Sequence, residues 1–213
     1  MGSDSPETAG NVRAHSGDMT TVDLSRFDNS WYRPGPLLKR VLWMLVNAWI
    51  FKSDLPYPSA LKVALLRLFG ARVGQGVVIK PNVNIKYPWF LSVGDFTWIG
   101  EGVWIDNLAQ VTIGAHACIS QGAYLLTGNH DYTSPSFDLM IGPIVITDGA
   151  WIGAKSIVLP GTQVASHVVV AAGSVIGGKT EPYGIYRGCP AQWVRQRVLR
   201  TTEPPVTHAS PTL

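Results

Sequence analysis

The sequence predicts a mainly β protein, a parallel β-solenoid preceded by two α-helices and followed by a short C-terminal extension. Three observations carry this. Ile, Val or Leu recurs at six-residue spacing: Val73, Ile79, Ile85; Val93, Ile99, Ile105; Ile113, Ile119, Leu125; then Ile146, Ile152, Val158, Val164, Val170 and Ile176. The residue after each is often small, as at Gly74, Gly94, Gly100, Gly114, Gly153 and Ala171. The fifth position is small or β-branched, from Val77 and Val83 through Thr97, Ala117 and Ala150 to Ser174. A helix repeats at 3.6 residues and a simple strand at 2, so neither sustains a period of six. A short strand plus a corner does, with the aliphatic residue pointing into a narrow core and the small one easing the turn.

Taken in order, residues 1–30 are polar and lack a periodic apolar face, so they are expected to be disordered or loosely packed. No charged segment leads there into an apolar stretch with a cleavage site, so no secretion signal is expected. Residues 31–70 form a helical segment. Its first helix, near Leu37 to Phe51, is apolar nearly all round, with Lys39, Arg40 and Asn47 on one narrow stripe. The second runs from a Ser59 N-cap to Phe69, where Gly70 ends it. Fifteen helical residues span only about 22 Å, short of a bilayer's hydrocarbon core. The first helix is therefore expected to pack on the main body or a neighbouring subunit. The second reading is peripheral membrane contact through residues 37–51, with Trp43, Trp49 and the flanking Lys and Arg at the surface.

Residues 71–180 form the solenoid, interrupted by a loop at 127–145. In "TGNHDYTSPSFDLMIGP" the register ends after Leu125 and resumes at Ile146, and Gly128, Pro135, Gly142 and Pro143 mark the interruption as loop. Insertions in a solenoid collect as loops on a rigid wall, where binding groups tend to sit. His130 stands at the root of this one. Residues 181–213 are a C-terminal extension whose tail, from about Thr201 with Pro204, Pro205 and Pro211, is expected to be loose.

A net charge of +3 without a long basic block gives a nucleic-acid partner little support. The two cysteines, Cys118 and Cys189, lie far apart and outside any CxxC spacing, which argues against a disulfide scaffold or a Cys-rich zinc site and points to a reducing compartment. Neither has a motif partner that would make it a nucleophile.

The stretches "VGDFTWIGEGVWI", "IGAHACISQGAYLL" and "ITDGAWIGAKSIVLPGTQVASHVVVAAGSVI" resemble the hexapeptide-repeat acyltransferases, and Leu66 to Val198 is similar to the WcaF-like O-acetyltransferases of colanic acid and exopolysaccharide synthesis. The resemblance implies a left-handed parallel β-helix of triangular cross-section, a homotrimer with active sites between subunits, and a cytoplasmic enzyme, associated in the membrane-contact reading with the inner face of the cytoplasmic membrane. It implies acetyl-CoA as co-substrate, no metal, and a sugar or glycan acceptor. It also places the catalytic base at His130 in "TGNHD". Imidazole suits the task because its unperturbed pKa lies near operating pH.

A base is usually oriented by a second group. Asp106 in "WIDN", about one coil earlier, is the first candidate and Asp131 the second; Asn107 and Asn129 are candidates for stabilising an oxyanion, or simply corner residues. For the donor, "AWIGAKSIVLPG", "AAGSVIGGKTEP" and "YRGCPAQWVRQR" resemble segments along which related enzymes lay coenzyme A. By that resemblance Trp151 contacts the pantetheine arm, backbone groups around Gly153, Ala154, Ala172 and Gly173 its amides, and Lys179, Arg195 and Arg197 the phosphates.

Three other functions stay open at this point. One is an N-acetyltransferase, since the same base serves an amine. Another is a metal-dependent protein like the γ-class carbonic anhydrases, although His116, His130 and His167 are widely separated where closely paired histidines are needed. The last is a noncatalytic scaffold.

Overall fold

The computed structural model describes residues 20–200, so the expectations for residues 1–19 and for the tail from Thr201 lie outside the described residues. Parallel strands two or three residues long stack coil on coil into three faces. The first face orders Arg72–Val73, Leu91–Val93, Val111–Ile113, Ile144–Ile146 and Gln163–Val164. The second orders Val78–Ile79, Trp98–Ile99, Cys118–Ile119, Trp151–Ile152, Val169–Val170 and Gly184–Gly188, closed by the antiparallel Ala191–Gln196. The third orders Asn84–Ile85, Trp104–Asp106, Tyr124–Leu126, Ile157–Val158 and Val175–Ile176.

Every residue of the six-spaced register is buried, with Val73 the most exposed at 8% and Ile85, Ile99, Ile105, Ile119, Leu125, Ile146 and Ile152 at zero. In-register pairing explains it: Ile99 stands over Ile119 and Ile119 over Ile152, so each aliphatic group covers the one in the next coil. The fifth positions are buried too; the hydroxyls of Thr97, Ser156 and Thr162 donate to neighbouring carbonyls, and Ser174 Oγ accepts the Gly188 N–H. Thr97 Oγ1 donates to Gly114 O at 2.7 Å, and Ser156 Oγ to Ala171 O at 2.9 Å.

Where glycine follows the aliphatic residue, as at Gly100 and Gly153, it serves close approach rather than the turn. A Cβ on Gly153 would stand 2.5 Å from Ala172 N, and one on Gly100 2.8 Å from Gln121 N. The left-handed corner positions are filled instead by other residues, among them Phe96, His116, His167 and Tyr183 at φ between 54° and 60°. There aromatic rings stack between coils, Phe96 on His116 at 5.3 Å and His167 on Tyr183 at 4.6 Å. These contacts help to hold a conformation that side chains rarely adopt.

The corners are not all alike. Ile85 to Val93 and Ile105 to Ile113 span eight positions where other corners span six, and both lie on the edge running from the third face to the first. The loop after Leu125 leaves the same edge. All the extra chain in the solenoid is therefore gathered along one line.

Helix α1, Leu37–Val46, continues through one π turn over Asn47–Phe51, and α2 spans Ser59–Leu68. The polar stripe of α1 faces the solenoid. Asn47 Nδ2 donates to Asn84 Oδ1 at 2.8 Å, Trp43 Nε1 donates to Ile85 O at 2.8 Å, and Lys39 Nζ lies 4.6 Å from the Trp89 ring centre. Leu38, Leu42, Leu45 and Trp49 are left on the outer side, exposed. Ser59 corrects the sequence reading: Pro58 holds the N-cap position, and Ser59 Oγ instead accepts the Ile79 N–H at 3.0 Å, tying α2 to the first coil. Gly70, at φ +98°, ends α2 as expected, with Ala71 N donating back to Leu66 O at 2.9 Å. No helix among the described residues is long and apolar enough to cross a membrane.

Truncating a central member of the aliphatic column should be costly. Ile119→Ala is expected to lower unfolding free energy by about 2–5 kcal/mol in chemical denaturation, because the stacked coils cannot collapse into the cavity. A loss under about 1 kcal/mol would show the column to be loosely packed.

Candidate active site

Three successive levels of the enlarged edge build the site. At the lowest, Lys86 and Tyr87 lead into the short 3₁₀ turn Pro88–Phe90. At the next, Asp106 ends its strand and Asn107 turns inward, fully buried. Asn107 Oδ1 accepts the Tyr87 N–H at 3.0 Å and its amide donates to Tyr87 O, so both its polar atoms are spent clamping the corner below. At the third, Thr127 Oγ1 donates to Asp106 O at 2.8 Å, and the chain departs as a hairpin in which Gly128–His130 pairs antiparallel with Leu139–Ile141.

His130 is thus held by strand pairing. Its Nδ1 lies 2.8 Å from Phe137 O, and its ring stacks on the Phe137 ring at 4.5 Å between centres and 12° between planes. A carbonyl oxygen can only accept, so Nδ1 carries the proton of the neutral ring and Nε2 keeps its lone pair. Nε2 has no hydrogen-bond partner among the described residues.

Neither carboxylate singled out for orienting His130 contacts the ring. Asp106 Oδ1 pairs with Lys86 Nζ at 2.9 Å, and Oδ2 accepts the Tyr124 hydroxyl at 3.2 Å. Asp131 accepts Thr133 N and Oγ1 at 2.9 and 2.6 Å, and these bonds hold its carboxyl below the usual carboxylate range. The orienting group is the main-chain carbonyl of Phe137. Asn129 Oδ1 accepts the His130 N–H at 2.8 Å, a brace for the backbone at His130.

The His130 ring opens on a cavity of about 880 Å³, also lined by Phe27, Tyr32, Arg33, Arg40, Lys86, Tyr87, Leu108 and Leu139. One wall comes from residues just ahead of α1. Phe27 is tilted against His130 at 5.7 Å, Tyr32 donates its hydroxyl proton to Leu108 O at 2.7 Å, and Asp23 N donates to Pro135 O in the loop at 2.9 Å. Burial, with the nearby Tyr87 and Asp106 charges, pushes the Tyr32 hydroxyl well above its ordinary pKa. Nothing in the polar composition of this stretch signals that it walls a site. A second cavity of about 370 Å³ adjoins the first through Arg40, Lys86 and Tyr87, and Asp106 lies there.

The candidate donor residues are spread over several parts of the prism. Trp151 projects from the second face, 45% exposed, with Nε1 donating to Ser120 Oγ at 2.8 Å. Gly153, Ala154, Ala172 and Gly173 form neighbouring corners between the second and third faces, where Gly173 N donates to Ala154 O at 2.8 Å. Lys179 is exposed on the edge that carries His130, two coils further on. Arg195 is exposed on the closing hairpin, whereas Arg197 Nη1 donates to Gly149 O and His167 O at 2.9 and 3.0 Å and tethers that hairpin to the solenoid. His116 and His167 sit at stacked corners away from His130, and no three His, Cys, Asp or Glu side chains among the described residues converge as a metal site would require. Cys118 is half-buried between Trp98 and Trp151 on the second face, and Cys189 is exposed.

The six-residue solenoid is also the fold of solved acetyltransferases. A hexapeptide-repeat acetyltransferase from Vibrio cholerae is 26% identical and superposes with a TM-score of 0.68 over 75% of this chain and 90% of its own. A galactoside acetyltransferase solved with coenzyme A has the same fold at 21% identity and a TM-score of 0.67, covering 75% of this chain and 80% of its own. No protein-family model matches the chain. The fold, with these similarities, is that of the hexapeptide-repeat acetyltransferases. Sequence similarity narrows the class: the Escherichia coli K12 protein named for colanic acid biosynthesis, the acetyltransferase WcaF, is 41% identical over 177 residues, 83% of this chain and 97% of that one. The chain belongs to the WcaF family.

Two measurements check the corner architecture. Asn107→Ala strands both backbone groups of Tyr87 and is expected to cost about 2–4 kcal/mol in denaturant titration. A cost under about 0.5 kcal/mol would contradict the clamp. The Tyr124 hydroxyl is pushed up to about 12 by burial and by the charge of Asp106. Because the unfolded chain ionises this group first, near pH 10, its contribution is fully present below that value and lost as pH rises toward 12. Tyr124→Phe should flatten this part of the stability profile, and an unchanged slope would contradict the assignment.

Proposed function

We propose that the protein is an acetyl-CoA-dependent O-acetyltransferase that acts on a hydroxyl of a sugar or exopolysaccharide precursor, with His130 as general base. The observation that carries this reading is the bond between His130 Nδ1 and Phe137 O, which leaves Nε2 as the basic nitrogen of a ring lining a cavity of about 880 Å³. Nε2 takes the proton of the acceptor hydroxyl, the oxygen attacks the thioester carbonyl, and the tetrahedral intermediate collapses with expulsion of the coenzyme A thiolate. The imidazolium then returns its proton to sulfur. The family supports the reaction class, and acetyl coenzyme A is bound in a second crystal structure of the Vibrio cholerae protein.

The donor lies along Trp151 and the corners at Gly153, Ala154, Ala172 and Gly173, with Lys179 and Arg195 toward its phosphates. Arg197 joins them through Nε and Nη2, while its Nη1 donates to two carbonyls and holds the hairpin that carries Arg195. Trp151 and the Gly153 corner occupy a different side of the prism from His130. The enzyme is therefore taken as a homotrimer with sites between subunits, the arrangement that the family resemblance implies. The enzyme works in the cytoplasm, at the inner face of the membrane, with residues 37–51 as its peripheral contact.

The test is thiol release from acetyl-CoA across a panel of sugars and glycan precursors. His130→Ala should lower turnover by about 10²–10⁴-fold with the best acceptor. Turnover within about threefold of the parent would remove His130 from the mechanism. Release with amines but with no hydroxyl acceptor would make the enzyme an N-acetyltransferase.

A further inference from the structure

His130 is covered from a direction that the solenoid does not supply. The chain ahead of α1 runs beside its cavity as a strap, and Phe27, Asn29, Ser30, Tyr32 and Arg33 line the cavity from there. Each end of the strap is fastened to a different part of the site. Asp23 N donates to Pro135 O of the loop at 2.9 Å, and Tyr32 donates its hydroxyl proton to Leu108 O at 2.7 Å. Leu108 lies in turn against the root of the hairpin, where a Cβ on Gly128 would meet its Cδ1 at 2.5 Å. Phe27, between the two anchors in sequence, meets the His130 ring at 5.7 Å.

Little else holds the strap. Residues 20–31 are exposed, and the turn Leu24–Arg26 buries nothing. Its order is local: Asp23 and Asp28 each accept the N–H two residues on, at 3.1 and 2.8 Å. A segment with so few buried contacts opens at low cost in free energy. Its closed position nevertheless matters to the base. With Phe137 stacked on the imidazole at 4.5 Å, Phe27 is the second phenyl group against a ring whose Nε2 keeps its lone pair. Left open to solvent, such a nitrogen would activate water as well as a sugar hydroxyl.

We propose that Phe27 is a specificity-determining residue: carried on the strap, it keeps water from Nε2 until an acceptor displaces it, so that acetyl passes to the acceptor and not to water. The inference rests on the acetyltransferase reading and adds the side reaction that the strap suppresses. In that reaction Nε2 takes a proton from water, the water oxygen bonds to the thioester carbonyl and the C–S bond breaks. The imidazolium then returns its proton to sulfur, leaving acetic acid and free coenzyme A. Opening of the strap gives the acceptor its way in.

Carbethoxylation of the full chain with diethyl pyrocarbonate, read by peptide mass spectrometry, measures access to His130 without turnover, with the exposed His116 as reference. Phe27→Ala should speed modification of His130 by about 5-fold or more and leave His116 unchanged. Tyr32→Phe, which unfastens one anchor and keeps the ring, should speed it to a smaller extent, and Phe27→Leu should restore the parent rate. In assays with acetyl-CoA, Phe27→Ala should raise acceptor-independent thiol release relative to transfer by about 10-fold, and adding His130→Ala should abolish that release. An unchanged carbethoxylation rate overturns the proposal, as does a fall of hydrolysis and transfer by the same factor. A parent protein that releases no thiol with any acceptor removes the acetyltransferase reading, while the carbethoxylation rates still decide whether the strap shields His130.

Discussion

Each coil of this protein is hydrogen bonded to the coil before and after it in parallel register, and the remaining features depend on that ladder. Strands of two or three residues are far too short to persist alone. Stacked, they satisfy one another's backbone groups and lay each aliphatic side chain over its counterpart, as Ile99, Ile119 and Ile152 do. The constraint is severe, because any side chain at Gly100 or Gly153 would drive into the backbone of the neighbouring coil. A wall built under such rules is rigid, and it gives a loop a fixed point of departure.

The site uses that rigidity at a single edge. The corner of Lys86 and Tyr87, the corner of Asp106 and Asn107, and the hairpin bearing His130 lie on consecutive coils, locked by Asn107 and Thr127. Stability and chemistry are divided accordingly. Asn107 is consumed in holding Tyr87, and Asp106 in holding Lys86, while the His130 ring is set by a backbone carbonyl that no side-chain substitution removes.

Much of this was legible in the sequence, for reasons that also explain what was not. The aliphatic register reports burial directly, and all of its members are buried, because a period of six has one structural meaning. His130 stood out because it roots the interruption. The partner of its Nδ1 is hidden in the sequence, because a main-chain oxygen seven residues on has no identity there, whereas a carboxylate does. Phe27 and Tyr32 were missed since tertiary contacts, rather than local periodicity, bring them over the cavity. One signal lay in plain sight. The eight-residue spacings from Ile85 to Val93 and from Ile105 to Ile113 mark the edge from which the loop departs. Arg197 shows a further contact that charge alone does not reveal: its Nη1 donates to Gly149 O and His167 O.

The central claim is that the fold makes His130 a base by fixing its tautomer, and nitrogen-15 NMR of the imidazole tests it most directly. With the ring neutral, the account predicts a proton on Nδ1 and an unprotonated Nε2, retained when acceptor is absent. A neutral ring protonated on Nε2 would contradict it, since the nitrogen facing substrate would then have no lone pair with which to take the hydroxyl proton.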